Sequence, residues 1–200
     1  MKTLKNFKLI LILILMTDSF VFGQLNNVIT GYIGNTFPDD RWVQNYAEEL
    51  DVSSDGTMVT ASIWDESGRC IAVWKDGEPA TLLQQPDPND DCWGWGTAGV
   101  AAAIDDNYVY AVNCKNNLNR WNRQNNYVYV DKTSMRDETD VVVGMTSSGG
   151  SLYLIKKSGI VQKRSISNLA TVQLTFTVSG GYDLPVDGSN NIWVHSPNQR

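Results

Sequence analysis

Four stretches of the chain share one pattern of hydrophobic and polar positions, in which an apolar residue precedes a short polar turn and then a run of hydrophobic and aromatic residues. The four copies are Val52–Val59, Ile104–Tyr110, Met145–Tyr153 and Val186–Val194. Their leading apolar residues lie 52, 41 and 41 residues apart. A period of about 40 residues, with several strands in each unit, is the sequence signature of a β-propeller.

Each unit is predicted to fold into four antiparallel strands joined by tight turns. In the first unit the predicted strands are 47–52, 57–63, 70–74 and 80–84, with an Asp-Gly turn after the first and the third. Asp-Gly between apolar runs is a strong hairpin signal. Val, Ile, Thr and Tyr dominate these stretches, so the sequence indicates an all-β fold. In the later units the predicted strands include 108–112, 118–121, 127–130, 151–156, 160–164 and 171–178.

The repeats predict about three complete propeller blades and a partial fourth. The expected blades are about 41–84, 97–131 and 139–178, the partial blade is 181–200, and a lone strand precedes them at about 28–34. Propellers usually close with four to eight blades, so these units predict an incomplete ring. We therefore expect the chain to be the N-terminal part of a longer reading frame or the product of a truncated gene.

The N-terminus is predicted to be an export signal. Three lysines among the first eight residues precede an unbroken apolar run at 9–16. This run is far shorter than the ~20 apolar residues that span a bilayer, so a cleaved signal peptide at 1–23 is expected. The alternative is an uncleaved anchor that extends through 20–22. The mature domain, 24–200, is predicted to be secreted, periplasmic or at the cell surface, without a membrane span.

The charge of the chain excludes one class of partner. The formal net charge is −6, and removal of residues 1–23, with three lysines and one aspartate, leaves 13 basic and 21 acidic residues and a net charge of −8. An acidic surface repels phosphate backbones, so nucleic acid is not an expected partner. Solubility outside the cell is a sufficient reason for the acidic charge.

The first repeat interval, of 52 residues, is longer than the other two, of 41 residues each, and its extra residues indicate a candidate ligand site. The segment 84–96 mixes Pro and Gly with acidic and aromatic residues and is predicted to be a loop. It is expected at the same end of the blades as the turn between the second and third strands. Indole rings stack on sugar rings and carboxylates accept hydrogen bonds from hydroxyls, so a glycan is the predicted ligand.

The candidate ligand-binding residues are Asp87, Asn89, Asp90, Asp91, Trp93 and Trp95 in the loop, with Trp64 and Asp65 at the turn. The alternative is that the tryptophans fill space between blades and that the acidic side chains are only solvated.

Calcium is the cofactor for which the sequence offers a partial pattern. Residues 87–91 begin like a calcium-binding loop, but Cys92 replaces the expected turn glycine and Ala98 replaces the expected glutamate. A helix–loop–helix calcium site is therefore excluded, and no cofactor is predicted. A looser calcium site that includes Asp105 or Asp106 stays open.

The mature chain holds three cysteines, and export makes a disulfide feasible. Cys92 and Cys114 are expected at the same end of the second blade, which favours a bond between them. Cys70 with Cys92 is the competing pair. The third alternative is that all three side chains are buried and reduced.

Several motifs resemble the NHL-type propellers of secreted bacterial proteins. Asp51–Gly56, Val73–Gly77 and Val186–Val194 carry this likeness. Trp42–Tyr46 and Trp64–Arg69 are similar to the opening of propellers in carbohydrate-associated secreted proteins. The resemblance covers nearly all of the mature chain and implies a propeller fold. Such families include binding scaffolds, lactonases and lyases, so the resemblance implies no single chemistry.

The favoured interpretation is an exported, non-catalytic propeller module that binds or scaffolds, with a glycan or an extracellular protein as partner. The alternatives are part of a propeller enzyme (a lactonase, a lyase or a glycoside-active enzyme) and a nonfunctional truncated product. His195 is the only histidine, and no G-x-S-x-G or H-E-x-x-H motif is present.

Carboxylates on the inner strands distinguish the two functional interpretations. Glu48, Glu49, Asp51 and Asn113 have the chemistry of a lactonase-type metal site, but their spacing does not single them out. An enzyme should place several carboxylates on neighbouring inner strands, whereas a glycan binder should expose tryptophans on the loop.

Overall fold

The computed structural model describes residues 49–65, 68–75, 80–83, 99–113, 115–135, 140–187, 189 and 191–195. Twelve strands in these ranges form three antiparallel sheets, each made of four consecutive strands. The first sheet contains β1 (Glu49–Val52), β2 (Met58–Asp65), β3 (Gly68–Trp74) and β4 (Thr81–Leu83). The second contains β5 (Gly99–Ile104), β6 (Tyr108–Asn113), β7 (Asn117–Asn122) and β8 (Val128–Ser134). The third contains β9 (Val142–Ser148), β10 (Ser151–Lys156), β11 (Ile160–Ser165) and β12 (Val172–Thr177).

A two-stranded hairpin follows the third sheet. Asp183 pairs with His195 and Val186 pairs with Ile192 in antiparallel bridges. We call the three sheets the first, second and third blades, and residues 182–187 with 191–195 the fourth unit. The predicted all-β fold, with three four-stranded blades and a partial fourth, is thus confirmed. Within the described ranges the helical structure is one 3₁₀ turn at Arg123–Asn125, and no helix there is long and apolar enough to cross a membrane.

The core lies between the blades, and β6 shows why the sequence requires this. Alternate side chains of a strand point to opposite faces of the sheet. Val109 and Ala111 are buried against the first blade, whereas Tyr110 and Val112 are buried against the third. Each buried aliphatic side chain contributes about 1.5–3 kcal/mol. An apolar run without alternation therefore identifies a strand that is covered on both faces.

The aspartates of the repeated motif hold the turns that follow the inner strands. Asp105 accepts hydrogen bonds from the amides of Asn107 and Tyr108, both at 2.7 Å, and from the hydroxyl of Tyr110 at 2.8 Å. Burial beside the carboxylate of Asp105 raises the pKa of the Tyr110 hydroxyl, which stays a donor.

The turn of the fourth unit repeats this arrangement with a tryptophan. Asp187 accepts from the amides of Ser189 and Asn191, both at 2.9 Å, and from the indole nitrogen of Trp193 at 3.1 Å. These bonds, with those from the Asn191 side chain first, lower the pKa of Asp187 to about 2. The repeated Asp and the aromatic residue five or six positions later therefore form one local unit that closes a hairpin.

Two arginines connect neighbouring blades. Arg120 of the second blade pairs with Asp131 at 2.5 Å and donates to the carbonyl of Ile166 in the third blade. Arg123 pairs with Asp55 of the first blade at 2.9 Å. Because the Ser53 hydroxyl and Arg123 both donate to it, the pKa of Asp55 lies well below its ordinary value. The polar links run across the same interfaces as the apolar core.

Candidate functional site

A cavity of about 680 Å³ lies along the inner strands, at the end of the blades where the first and second strands are joined. All three blades and the fourth unit contribute to its wall, which consists of 49–54, 104–106, 145–151 and 183–187. The wall therefore consists of β1, the carboxyl ends of β5 and β9, the turns that follow them, and the first strand of the fourth unit.

The wall of the cavity is acidic and rich in hydroxyl groups. Its carboxyl groups belong to Glu49, Asp51, Asp105, Asp106, Asp183 and Asp187. Its hydroxyl groups belong to Ser53, Ser54, Thr146, Ser147, Ser148 and Ser151. Among the described residues that line the cavity there is no lysine, arginine or histidine. A ligand here therefore meets hydrogen-bond acceptors and negative charge.

Glu49 reaches from the first blade to the third. Its Oε1 accepts a hydrogen bond from the amide of Met145 at 3.1 Å. Burial raises the pKa of Glu49 to about 9, the amide of Met145 offsets part of this rise, and the carboxylates of Asp183 and Asp51 add to it. At neutral pH the Glu49 carboxyl is thus protonated and can donate as well as accept.

Asp51 makes the corresponding contact with the second blade. Its Oδ2 accepts from the amide of Ile104 at 2.9 Å, and its Oδ1 accepts from the amide of Val52 at 3.0 Å. Burial raises the pKa of Asp51 to about 6, against the effect of both amides, and the carboxylates of Asp183 and Asp105 raise it further. Glu49 and Asp51 lie two residues apart on β1, so both point to the same face of the strand.

The other carboxylates of the wall differ in how many partners they have. Asp105 and Asp187 are occupied by the turns that they hold, and Asp106 accepts from the Ser54 hydroxyl at 2.6 Å. Asp183 is exposed and accepts from the amide of Leu184 at 2.7 Å through Oδ1. Its Oδ2 makes no hydrogen bond to any residue that the structure describes. Asp183 is therefore the carboxylate best able to meet a ligand.

The hydroxyl groups also differ in their engagement. Ser147 donates to the carbonyl of Ile104 at 2.7 Å, and Ser53 donates to Asp55 at 2.5 Å. Thr146 is 7% exposed and lines the cavity. Its hydroxyl makes no hydrogen bond within the described ranges. Unlike the Thr60 hydroxyl, which is enclosed without a partner, the Thr146 hydroxyl is reached by solvent and can meet a ligand in the cavity.

The residues predicted to bind ligand are only partly within the described structure. The loop residues Asp87, Asn89, Asp90, Asp91, Trp93 and Trp95 lie outside it. Trp64 and Asp65 lie at the end of β2, beside the turn into β3, because Asp65 pairs with Gly68. This is the end of the blade opposite the cavity. The predicted site stays a prediction, and the cavity is a second site that it does not include.

The predicted disulfide and the looser calcium site also stay predictions. Cys92 and Cys114 lie outside the described residues, so their pairing stays a prediction. Asp105, the suggested calcium ligand, is engaged by the β5–β6 turn, and Asp106 accepts from Ser54. Among the described residues no three acidic, cysteine or histidine side chains converge to hold a metal ion.

Sequence reasoning named Glu49 and Asp51 but could not distinguish them from Glu48 and Asn113. In the structure Asn113 differs from Glu49 and Asp51, because its side chain accepts hydrogen bonds from the amides of Lys115 and Asn117 in the β6–β7 turn. Asp183 was not predicted. For Glu49 and Asp51, the signal in the sequence is the alternation of acidic and apolar residues in Glu-Leu-Asp-Val, on a strand where core residues are expected.

No protein-family model and no curated protein sequence matches the chain. Solved structures do resemble it. BamB from Moraxella catarrhalis is similar over 78% of this chain and 42% of its own, with 12% identity and a TM-score of 0.52. The glutaminyl cyclase of Myxococcus xanthus is similar over 78% of this chain and 63% of its own, with 9% identity and a TM-score of 0.54. The chain spans less than two thirds of either protein. At such identities the likeness shows the fold alone, and that fold is the β-propeller.

Proposed function

We propose that this protein is a non-catalytic propeller module that binds a hydroxyl-rich ligand, such as a glycan, in the cavity along its inner strands. The observation that carries this proposal is the composition of the cavity wall, to which all three blades and the fourth unit contribute carboxyl and hydroxyl groups. Carboxyl oxygens and serine hydroxyls are matched to the donors and acceptors of a sugar. A volume of about 680 Å³ is in the range of small-molecule sites.

The proposal is tested with two exposed serines that each make a side-chain hydrogen bond. Ser54 lines the cavity and bonds to Asp106, whereas Ser167 lies outside the cavity and bonds to Ser165. Ser54→Trp should fill part of the cavity and abolish retention on an array of immobilised oligosaccharides, and Ser167→Trp should leave retention unchanged. If the wild-type protein is retained on no oligosaccharide, the proposal is wrong.

The predicted loop site is tested on the same array. Trp93→Ala combined with Trp95→Ala should leave retention intact if the cavity is the binding site. Loss of retention in this double variant, with Ser54→Trp still bound, would assign the site to the loop and overturn the cavity.

Enzymatic activity is a second candidate, because carboxyl groups from neighbouring blades share the cavity, which is the arrangement expected of an enzyme. Glu49 and Asp51 face the same cavity with pKa values of about 9 and about 6, so one carboxyl is protonated and the other ionised at neutral pH. Such separation suits a general acid beside a general base. Turnover of a bound oligosaccharide that is lost in Glu49→Gln and in Asp51→Asn, with binding retained, would establish catalysis in place of simple binding.

We also propose that the protein acts outside the cytoplasm after removal of residues 1–23. The positively charged start and the short apolar run support this. Intact-mass measurement of the protein from its native host should give a chain that begins at Gln24. A chain in the cytoplasmic fraction that retains residues 1–23 would contradict export.

A further inference from the structure

We propose that the cavity ligand carries protonated amino groups on its hydroxyl-rich framework, as an oligosaccharide of 2-amino sugars does. This inference rests on the proposed function, because it names the class of ligand for the same cavity.

The charge of the cavity wall is the first argument. Asp51, with a pKa of about 6, is largely ionised at pH 7, and repulsion from the carboxylates of Asp183 and Asp105 contributes to its raised pKa. Among the described residues that line the cavity there is no cation to neutralise them. Carboxylates that are partly buried together without counter-charge repel one another, and a cationic ligand would relieve this repulsion. A neutral sugar would leave it unchanged.

The spread of the carboxyl groups is the second argument. They come from three blades and the fourth unit, and among the described residues no three of them converge on one point as metal ligands do. This spread fits an extended ligand better than a single metal ion. An extended ligand with several positive groups can meet Asp183, Asp51 and Asp106 at different points along the cavity.

The unused hydrogen-bonding groups are the third and independent argument. Thr146 is 7% exposed, and its hydroxyl makes no hydrogen bond within the described ranges although it lines the cavity. The hydroxyl is reached by solvent, so a ligand in the cavity can replace its water with a hydrogen-bonding group. Oδ2 of Asp183 is likewise unused within the described structure. A ligand with both ammonium and hydroxyl groups satisfies the two together.

The test uses two hexasaccharides with the same sugar rings and linkage. One is β-1,4-linked glucosamine, whose amino groups are protonated, and the other is its fully N-acetylated form, which is neutral. At about pH 6.5, above the Asp51 pKa of about 6, calorimetric titration should show that the glucosamine hexasaccharide binds at least about tenfold more tightly.

Charge variants separate electrostatic attraction from the bulk of the acetyl group. Asp183→Asn keeps the shape of the side chain and should weaken binding of the glucosamine hexasaccharide by about tenfold, the magnitude of one charge-assisted hydrogen bond. Asp140→Asn removes the same charge outside the cavity, at the β10–β11 turn, and should leave affinity unchanged. Equal effects of the two variants would overturn the inference.

The remaining outcomes distinguish this inference from the proposed function. Retention of neutral glycans on the array, with equal or weaker binding of the glucosamine hexasaccharide, would overturn the inference and leave the proposed function standing. Absence of binding to any oligosaccharide would overturn both. Spermidine that binds as tightly as the glucosamine hexasaccharide would show that ammonium groups alone suffice, and would remove the sugar framework from the proposal.

Discussion

Among the residues that the structure describes, Glu49 departs far from its ordinary chemistry. Its carboxyl accepts the amide of Met145, lies beside two other carboxylates and has a pKa raised by burial to about 9. Asp51, two residues later, has a pKa raised to about 6 for the same reason. Both groups bind protons more tightly in the folded chain than in the unfolded chain. Their protonation is therefore linked to stability.

The first prediction concerns the pH dependence of unfolding. Between about pH 4.5 and pH 9 the folded state holds the Glu49 proton that the unfolded state releases, so stability falls as pH rises through this window. Asp51 contributes in the same direction between about pH 3.8 and pH 6. Glu49→Gln keeps an acceptor for Met145 without the proton and should flatten the decrease. Urea unfolding at about pH 6, 7 and 8 measures it, and identical slopes in wild type and variant would contradict it.

The second prediction concerns the hydroxyl of Tyr110. It donates to Asp105 at 2.8 Å from a fully buried side chain. Tyr110→Phe should lower the free energy of unfolding by about 1.5–3 kcal/mol, because a hydrogen bond to a charged group is lost. Tyr182→Phe is the matched control, since Tyr182 is 58% exposed. Chemical unfolding of both variants should separate them, and equal free energies would show that the hydroxyl is not stabilising.

At the scale of the strand and turn, the β10–β11 hairpin depends on a glycine. Gly159 has a φ of 86°, and a side chain there would place Cβ 2.1 Å from the carbonyl oxygen of Val178. Gly56, in the β1–β2 turn, has a φ of 82° but no atom within 4 Å of the Cβ position. The two turns thus share a left-handed backbone conformation and differ in available space.

The third prediction uses this pair. Gly56→Ala should cost about 1 kcal/mol, the cost of a positive φ for a residue with a side chain. Gly159→Ala should cost clearly more, because the Val178 backbone must also move, and Val178 is hydrogen-bonded to Gly159 at 2.8 Å. Thermal unfolding of both variants measures the difference. Equal costs would show that the hairpin adapts without strain.

Elements were predictable from the sequence where a turn residue and a strand pattern coincide. Residues 151–156 and 160–164 were predicted as strands and are β10 and most of β11, because Ser158-Gly159 separates two clear β-forming runs. β8 was predicted at 127–130 but continues to Ser134. Its polar C-terminal half, Asp131–Ser134, has no apolar alternation, and its strand structure comes from pairing with β7.

The candidate site was less predictable for a physical reason. The acidic character of Glu49 and Asp51 is visible in the sequence, but their burial depends on neighbouring blades, whose contacting amides lie 96 and 53 residues further along the chain. No local pattern contains that information. The loop with Trp93 and Trp95 was the more conspicuous sequence feature, because composition alone identifies it.

At the scale of the whole molecule, polar contacts between blades supplement the apolar core. Arg120 is 8% exposed, pairs with Asp131 through two nitrogens and donates to the Ile166 carbonyl. Its guanidinium also lies 4.9 Å from the centre of the Tyr108 ring. The Arg120 side chain therefore joins the second blade to the third.

The fourth prediction is that Arg120→Met loosens the interface between the second and third blades. The change retains much of the apolar stem but leaves the Ile166 carbonyl without its donor, so unfolding should become easier by about 1–3 kcal/mol. Asp131→Asn removes only the half-exposed partner and should cost less than about 1 kcal/mol. Urea unfolding compares the two, and equal costs would assign the effect to the ion pair alone.

The hydrogen bond between Glu49 and the third blade has a consequence for the order in which the protein folds. A carboxyl that meets an amide 96 residues later can do so only after the intervening blade has taken its place. Local hairpins are expected to form early and such distant contacts late, since long loops must close first. Capacity to bind ligand should thus emerge as the last event of folding, and ligand capture in a refolding time course would mark its completion.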